Sequence, residues 1–455
     1  MLVNFSTNRF LAYGIKVSGC IPGLRKQSQP LFKTRWLRFC LAMTCYLRYI
    51  PFNVGYTPKS RLLDRKSQFR YHKDMEFGLY IHIPFCPQKC FYCDFNSYVL
   101  DQRVVGDYLA ALHSEIDAWG RRIQREHKSP LAVQTVFFGG GTPTTLLSDR
   151  IGEILEQLKR WFPLERDAEI TVEANPGTMD AEKFFGLKAL GVNRLSMGIQ
   201  SFDDHYLTEL GRVHTASEAV EAYHAARVAG FDNLSFDLIF ALPRQTLEHW
   251  QETLNQALKL SPEHISLYSL TIEEGTRFFE LHRRGRLPLP DEETDARMYE
   301  YCLDILPEHG YEQYEVSNFA RPGYRCRHNQ IYWRNEPYLG FGAGAAGYWQ
   351  GTRYLNHRPL KRYIADALQG RFPIASQECL PLEATMGETM LLGLRMMDGV
   401  SRPTFRERFG IDPADRFAPA VRKLTDRGLL DVDDHCIRLT RRGLLLADTV
   451  QAEFI

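Results

Sequence analysis

The chain has 455 residues, 44% hydrophobic and 24% charged, enough for a large core and more than one domain. Its net charge of +1 conceals an asymmetry: fourteen of the 56 basic residues but only two of the 55 acidic ones fall in residues 1–74. The remainder carries a net charge of −11, which argues against non-specific nucleic-acid binding. No stretch is a credible membrane span, because the most apolar N-terminal run, 36–52, is interrupted by Arg38 and Arg48.

Residues 1–74 lack helical or strand periodicity and are Arg-rich and acid-poor. Two readings fit. They are an organelle transit segment, which would make the protein mitochondrial, or they lie upstream of a true start at Met75 in a cytoplasmic protein.

From Gly78 onward, short apolar runs alternate with helical patterns. Strands are expected over 79–83, 135–138, 170–173, 194–199, 234–240 and 264–270. In one intervening helix Leu247, Trp250, Leu254, Ala257 and Leu258 recur at three- and four-residue steps, marking a buried face. Six strand-then-helix units predict an α/β fold with parallel strands and helical crossovers. Polar residues close several of these strands, which favours a partial (β/α)6 barrel over 75–350 with its site at the strands' C-terminal ends. After about Tyr348 the pattern changes. Residues 351–455 are expected to form a mostly helical, winged-helix-like C-terminal module, with helices over 382–397, 402–409 and 417–427 and strands over 430–432 and 436–439. A packing cap on the barrel is the preferred role for it over DNA binding.

Of ten cysteines only Cys86, Cys90 and Cys93 are tightly spaced, which suggests a metal site in a reducing compartment rather than a disulfide framework. Three thiolates at C-x3-C-x2-C spacing can hold three corners of a [4Fe–4S] cube from one loop and leave one iron open for chemistry. The competing reading is a zinc site completed by His82. Zinc ligands usually arrive in pairs, and no second pair exists here.

This spacing, preceded by Tyr80-Ile-His-Ile-Pro-Phe, resembles the radical S-adenosylmethionine superfamily. Within it, the segment resembles the branch of oxygen-independent coproporphyrinogen III oxidase and the HemW haem chaperones. The resemblance implies that the open iron chelates S-adenosylmethionine, which a one-electron reductant would cleave to methionine and a 5′-deoxyadenosyl radical. It further implies that Gly139-Gly140-Gly141-Thr142 after the second strand cradles the methionine end, where glycines permit close backbone approach. By the same resemblance Tyr80, Glu173, Gln200, Arg212 and Asp237 contact the cofactor, with Thr271 a weaker candidate. Asp237 interrupts an apolar strand, where a carboxylate needs a partner.

Two features separate oxidase from carrier. The oxidase places a further cysteine two residues after the last cluster ligand, and this chain has Phe95 there. Arg327-His328-Asn329-Gln-Ile-Tyr332-Trp333 matches the His-Asn-x-x-Tyr-Trp signature of the chaperone branch. An imidazole (His328) beside flat rings (Tyr332, Trp333) suits a haem iron and its porphyrin, and Cys326 would share the His328 face in an extended segment. The expectation is therefore a protein that binds haem and transfers it to an acceptor protein. The alternative is an enzyme that decarboxylates porphyrinogen propionates.

Overall fold

The computed structural model describes residues 77–127 and 131–455; the expectations for residues 1–74 and for a start at Met75 lie outside them. The segment Gly78–Ile83 is buried at every position, as a strand covered on both faces must be.

The six expected strands are present as β1 (Gly78–Ile83), β2 (Val133–Gly140), β3 (Leu164–Ala174), β4 (Arg194–Gln200), β5 (Leu234–Phe240) and β6 (His264–Ser269). They pair in parallel in that order. Helices including Gln102–Glu126, Ser148–Trp161, Ala216–Val228 and Leu247–Leu260 make the crossovers. The last shows why its sequence folds as it does. Thr246 caps its first turn, and Trp250, Leu254 and Ala257 are buried while Leu247 and Leu258 pack on the core's edge.

The sheet is larger than six strands. Beyond β6, β7 (Glu312–Glu315) and β8 (Asn318–Ala320) add antiparallel. On the other side β9 (Tyr338–Phe341) pairs with β1 as a seventh parallel strand. Antiparallel β10 (Ala346–Trp349), β11 (Thr352–Asn356) and β12 (Ile374–Cys379) follow. Twelve strands therefore lie in the order β12-β11-β10-β9-β1-β2-β3-β4-β5-β6-β8-β7. The sheet curls into a partial barrel: Tyr80 on β1 and Glu315 on β7, far apart in strand order, line one cavity. It does not end where the sequence pattern changes near residue 350, because β11 and β12 carry it to Cys379.

The C-terminal helices Leu382–Gly393, Arg402–Phe409 and Ala418–Asp426 pack with a small antiparallel sheet of β13 (Val400–Ser401), β14 (Leu430–Val432) and β15 (Cys436–Leu439). Met390, Leu394, Phe405, Phe417 and Leu424 form a core of their own. The helix expected over 382–397 stops at Gly393. Its continuation leaves the helix to bond the barrel: the Val316 N–H donates to the Arg395 carbonyl (3.1 Å) and the Met397 N–H to the Tyr314 carbonyl (3.0 Å). No helix among the described residues is long and apolar enough to cross a membrane.

Candidate functional site

The cysteine loop leaves the C-terminal end of β1 and is pinned at both ends. The Tyr98 N–H donates to the Pro84 carbonyl (2.7 Å) and the Leu100 N–H to the Cys86 carbonyl (2.9 Å). Lys89 closes it from within, donating to the Phe95 carbonyl (2.7 Å) and to Ser97 Oγ (2.8 Å). Further anchors come from late in the chain: Asn96 Nδ2 donates to the Ala343 carbonyl (2.8 Å), and Asn96 Nδ2 and Tyr98 Oη both donate to the Arg358 carbonyl (3.0 Å each).

Cys86, Cys90 and Cys93 carry free, half-buried thiols. Burial first, with Cys90 and Cys86 adding to it against the opposing Lys89 charge, pushes the Cys93 thiol up to about 12. Among the described residues no three His, Cys, Asp or Glu side chains converge on a single metal ion. His82 does not turn toward the thiols. Its ring nitrogens lie 3.0 Å from Tyr80 Oη and 2.9 Å from the Asn96 carbonyl, so it is already used in holding the end of the loop.

The glycine run ends β2 against this loop. Its amides are committed inside the protein: Gly140 N–H donates to Glu173 Oε2 (3.1 Å), Gly141 N–H to the Ile83 carbonyl (2.8 Å) and Thr142 N–H to the Phe85 carbonyl (2.7 Å). Gly140 has φ +108°, and a Cβ there would lie 2.4 Å from the His82 ring. What the run offers a ligand is thus shape more than donors, and these glycines are equally demanded by their fit to the end of β1. Thr142 Oγ1 reaches Cys86 Sγ at 3.5 Å.

Gln200 and Arg212 sit side by side over Gly198, where a Cβ would meet both. Arg212 Nη2 donates to the Gly198 carbonyl (2.7 Å) and Nη1 lies 3.5 Å from Cys90 Sγ. Gln200 Oε1 and Arg212 Nε are buried with no partner among the described residues. Orphaned polar atoms beside three thiols are what an absent polar cofactor would satisfy, so the residues present fit a cluster bearing S-adenosylmethionine.

Asp237 has the partners its position on β5 demands, accepting from Ser196 Oγ (2.9 Å) and Ser235 Oγ (3.3 Å). Burial raises its carboxyl all the same. Burial, with Asp237 second, raises Glu173 to about 8. The native state therefore holds the Glu173 proton more tightly than the unfolded chain, whose ordinary value is 4.5. The resulting stability is whole below that ordinary value and is lost as pH rises through the folded one. Without S-adenosylmethionine, Glu173→Gln should match wild type in denaturation midpoint near about pH 4.5 and surpass it above about pH 8. A difference that does not change with pH would contradict the protonated carboxyl.

Some of these residues line one of two spaces, while Gln200, Arg212 and the glycine run line neither. Tyr80, Glu173 and Asp237 line the barrel interior, a cavity partly open to solvent. Cys93 and Thr271 line a smaller one at the mouth, and Thr271 Oγ1 donates to the Ser269 carbonyl (3.4 Å). Phe95 and Tyr268 line both. Phe95, which takes the place of the oxidase cysteine, therefore stands between mouth and interior.

His328, Tyr332 and Trp333 lie on the same interior cavity, but on a helix, Arg327–Trp333, rather than an extended segment. Cys326 consequently does not share the His328 face. It begins the helix, fully buried, with Sγ 3.6 Å from Glu169 Oε1, and burial above all raises its thiol to about 12. Glu169 also accepts the helix's first N–H groups, from Arg327 (3.0 Å) and His328 (3.1 Å). The His328 ring stacks on Phe137, its Nδ1 is 2.7 Å from Thr135 Oγ1 and its Nε2 is 2.7 Å from Tyr332 Oη. Burial, aided by the Arg194 charge, lowers it to about 3, so the imidazole is neutral.

Sequence reasoning passed over Arg194, Tyr268, Glu315 and Arg395, which also line the interior. Arg194 left a signal, an arginine opening an otherwise apolar strand. The buried pair Arg395–Glu315 (2.9 Å) joins residues eighty positions apart and left none.

Residues 80–257 match the model of the Radical SAM superfamily and residues 380–446 that of the HemN C-terminal domain. The curled parallel sheet with a three-cysteine loop at its mouth is thus the radical S-adenosylmethionine architecture. The chain is 42% identical over 378 residues to a protein of Bacillus subtilis (strain 168) named heme chaperone HemW, covering 83% of this chain and 98% of that one. Identity to the heme chaperone HemW of Lactococcus lactis subsp. lactis (strain IL1403) is 37% over 376 residues, 83% of this chain and 96% of that one. Among solved structures, coproporphyrinogen III oxidase (HemN) from Escherichia coli, described as a radical SAM enzyme, superposes with a TM-score of 0.73 at 26% identity, covering 84% of this chain and 90% of that one. The chain belongs to the HemW family of the radical SAM superfamily. Membership implies a [4Fe–4S] cluster and S-adenosylmethionine.

Proposed function

We propose that this protein binds haem in the barrel cavity and passes it to an acceptor protein. In this reading Cys86, Cys90 and Cys93 hold the [4Fe–4S] cluster. Tyr80, the Gly140–Thr142 run, Glu173, Gln200, Arg212, Asp237 and Thr271 surround S-adenosylmethionine. The observation that carries the proposal is the shared cavity: Tyr80, Glu173 and Asp237 form one part of its wall and His328, Tyr332 and Trp333 another. Bound to a reduced cluster, S-adenosylmethionine would supply a carbon radical on demand of a one-electron reductant. The protein's own contribution is placement. Arg212, beside Cys90, and Gln200 next to it offer unused polar atoms, and Phe95 and Tyr268 stand between the mouth and the interior.

The second reading, decarboxylation of a porphyrinogen, draws on the likeness to the Escherichia coli oxidase. Phe95 weighs against it, because an aromatic ring stands where the oxidase pattern has a thiol. The cluster-loaded protein should bind haem and release no carbon dioxide from coproporphyrinogen III, and robust decarboxylation would reverse the choice. His328→Ala should weaken haem binding and alter the haem absorption spectrum if the imidazole leaves Tyr332 for the iron. Affinity and spectrum unchanged in that variant would move the ligand elsewhere.

A further inference from the structure

Arg194 opens β4, is 1% exposed and lines the interior cavity. Its guanidinium has five N–H donors in a planar fork, yet none of them meets an acceptor among the described residues, and Nε is an orphan. A buried cation without hydrogen bonds is costly, so the missing acceptor demands an explanation.

The surrounding carboxylates do not supply it, because each is used elsewhere. Glu169 accepts the Arg327 and His328 amides, Asp237 accepts from Ser196 and Ser235, and Glu315 is paired with Arg395. Glu173 accepts from Gly140, and burial keeps its own proton on at neutral pH. Glu169 and Asp237 still act on Arg194 through space, but neither forms an ion pair with it. Two more wall atoms are in the same unsatisfied state, Trp333 Nε1 and Tyr338 Oη. Aromatic rings (Tyr80, Phe95, Phe137, Tyr268, Tyr332) make up part of that wall among serines, asparagines and carboxylates, with Phe137 stacked on His328 at 5.1 Å. The cavity therefore presents flat apolar surfaces together with a fork of donors that lacks an acceptor. A carboxylate accepts such a fork through two parallel bonds, which a hydroxyl or a carbonyl cannot do.

We propose that Arg194 is the carboxylate anchor of the cavity, receiving a carboxylate side chain of a flat aromatic cargo. Resting on the haem reading above, that group is a propionate of the porphyrin. Arg194 then sets the orientation of the cargo, since the two propionates lie on one edge of the ring.

The test titrates haemin and haemin dimethyl ester, followed by absorbance, into the full-length, cluster-loaded wild type, Arg194→Gln and Arg194→Lys. Wild type should prefer the free acid by roughly ten- to a hundredfold, the value of a charge-assisted hydrogen bond. Arg194→Gln should bind both porphyrins with the affinity the wild type shows for the ester, and Arg194→Lys should retain part of the preference. Equal affinity of the wild type for acid and ester would overturn the anchor while leaving the haem reading intact, and it needs no variant to fold. So would an Arg194→Gln protein that keeps its cluster and loses the same factor for both ligands, since that is the mark of a structural role. Binding of neither porphyrin to the wild type would sink the haem reading itself, and the anchor with it.

Discussion

Cys90→Ala protein, prepared and reconstituted without oxygen, is expected to carry no intact [4Fe–4S] cluster by iron and sulfide analysis. Cys86→Ala and Cys93→Ala should behave alike, because a cube held by two thiolates from one loop has lost a corner that no nearby side chain can supply. The imidazole of His82, at the end of the strand that leads into the loop, is bonded to Tyr80 and Asn96. Cys302→Ala, Cys379→Ala and Cys436→Ala should load normally. Cys302 is buried 3.2 Å from Trp250 Nε1, Cys379 is exposed at the end of β12, and Cys436 lies in the C-terminal module. A full cluster in Cys90→Ala would overturn the ligand assignment.

A second large effect is expected at the seam between barrel and C-terminal module. Arg395 and Glu315 are 4% and 0% exposed, and Arg395 also lies over the Trp333 ring at 4.4 Å. Removing the cation alone leaves a carboxylate buried without its countercharge, which costs about 3–5 kcal/mol. Arg395→Met should therefore lower the denaturation midpoint markedly. Removing both charges avoids the stranded carboxylate, so Arg395→Met combined with Glu315→Gln should recover much of the loss. The same single variant should weaken haem binding, because Arg395 forms part of the cavity wall. A wild-type midpoint in Arg395→Met would show that the pair contributes no net stability.

The barrel was legible because most of its strands have short apolar cores bounded by turns, so periodicity located all six, although β3 begins six residues before the expected 170–173, in the charged stretch 165–167. Local patterning also found the strands Leu430–Val432 and Cys436–Leu439, whose bounds are those expected. What it could not reach was pairing at long range. β9 completes the parallel sheet from 260 residues beyond its partner, Tyr338 opposite Gly78, and nothing local announces that. The end of the helix Leu382–Gly393 was likewise missed, because the hydrophobic pattern continues through Leu394 and Met396 while the backbone turns away to bond β7. At the site, chemistry-bearing residue types stood out singly. Their division between mouth and interior did not, because it depends on how Phe95 and Tyr268 fall in space. The geometry of Cys326 turned on one local choice, helix over extended chain, and that choice reversed which side chains face together.

The anchoring of the cysteine loop sets an order of events during synthesis. Asn96 and Tyr98 hold its far end to the carbonyls of Ala343 and Arg358, which leave the ribosome long after Cys93. A nascent chain thus displays Cys86, Cys90 and Cys93 on a loop whose far anchor does not yet exist, beside a first strand still lacking β9. Contacts of such separation form late, since the intervening chain must be made and ordered first. The loop reaches its final shape only when about four-fifths of the chain is complete, so in the proposed reading stable loading of the cluster belongs to the end of folding rather than to its beginning.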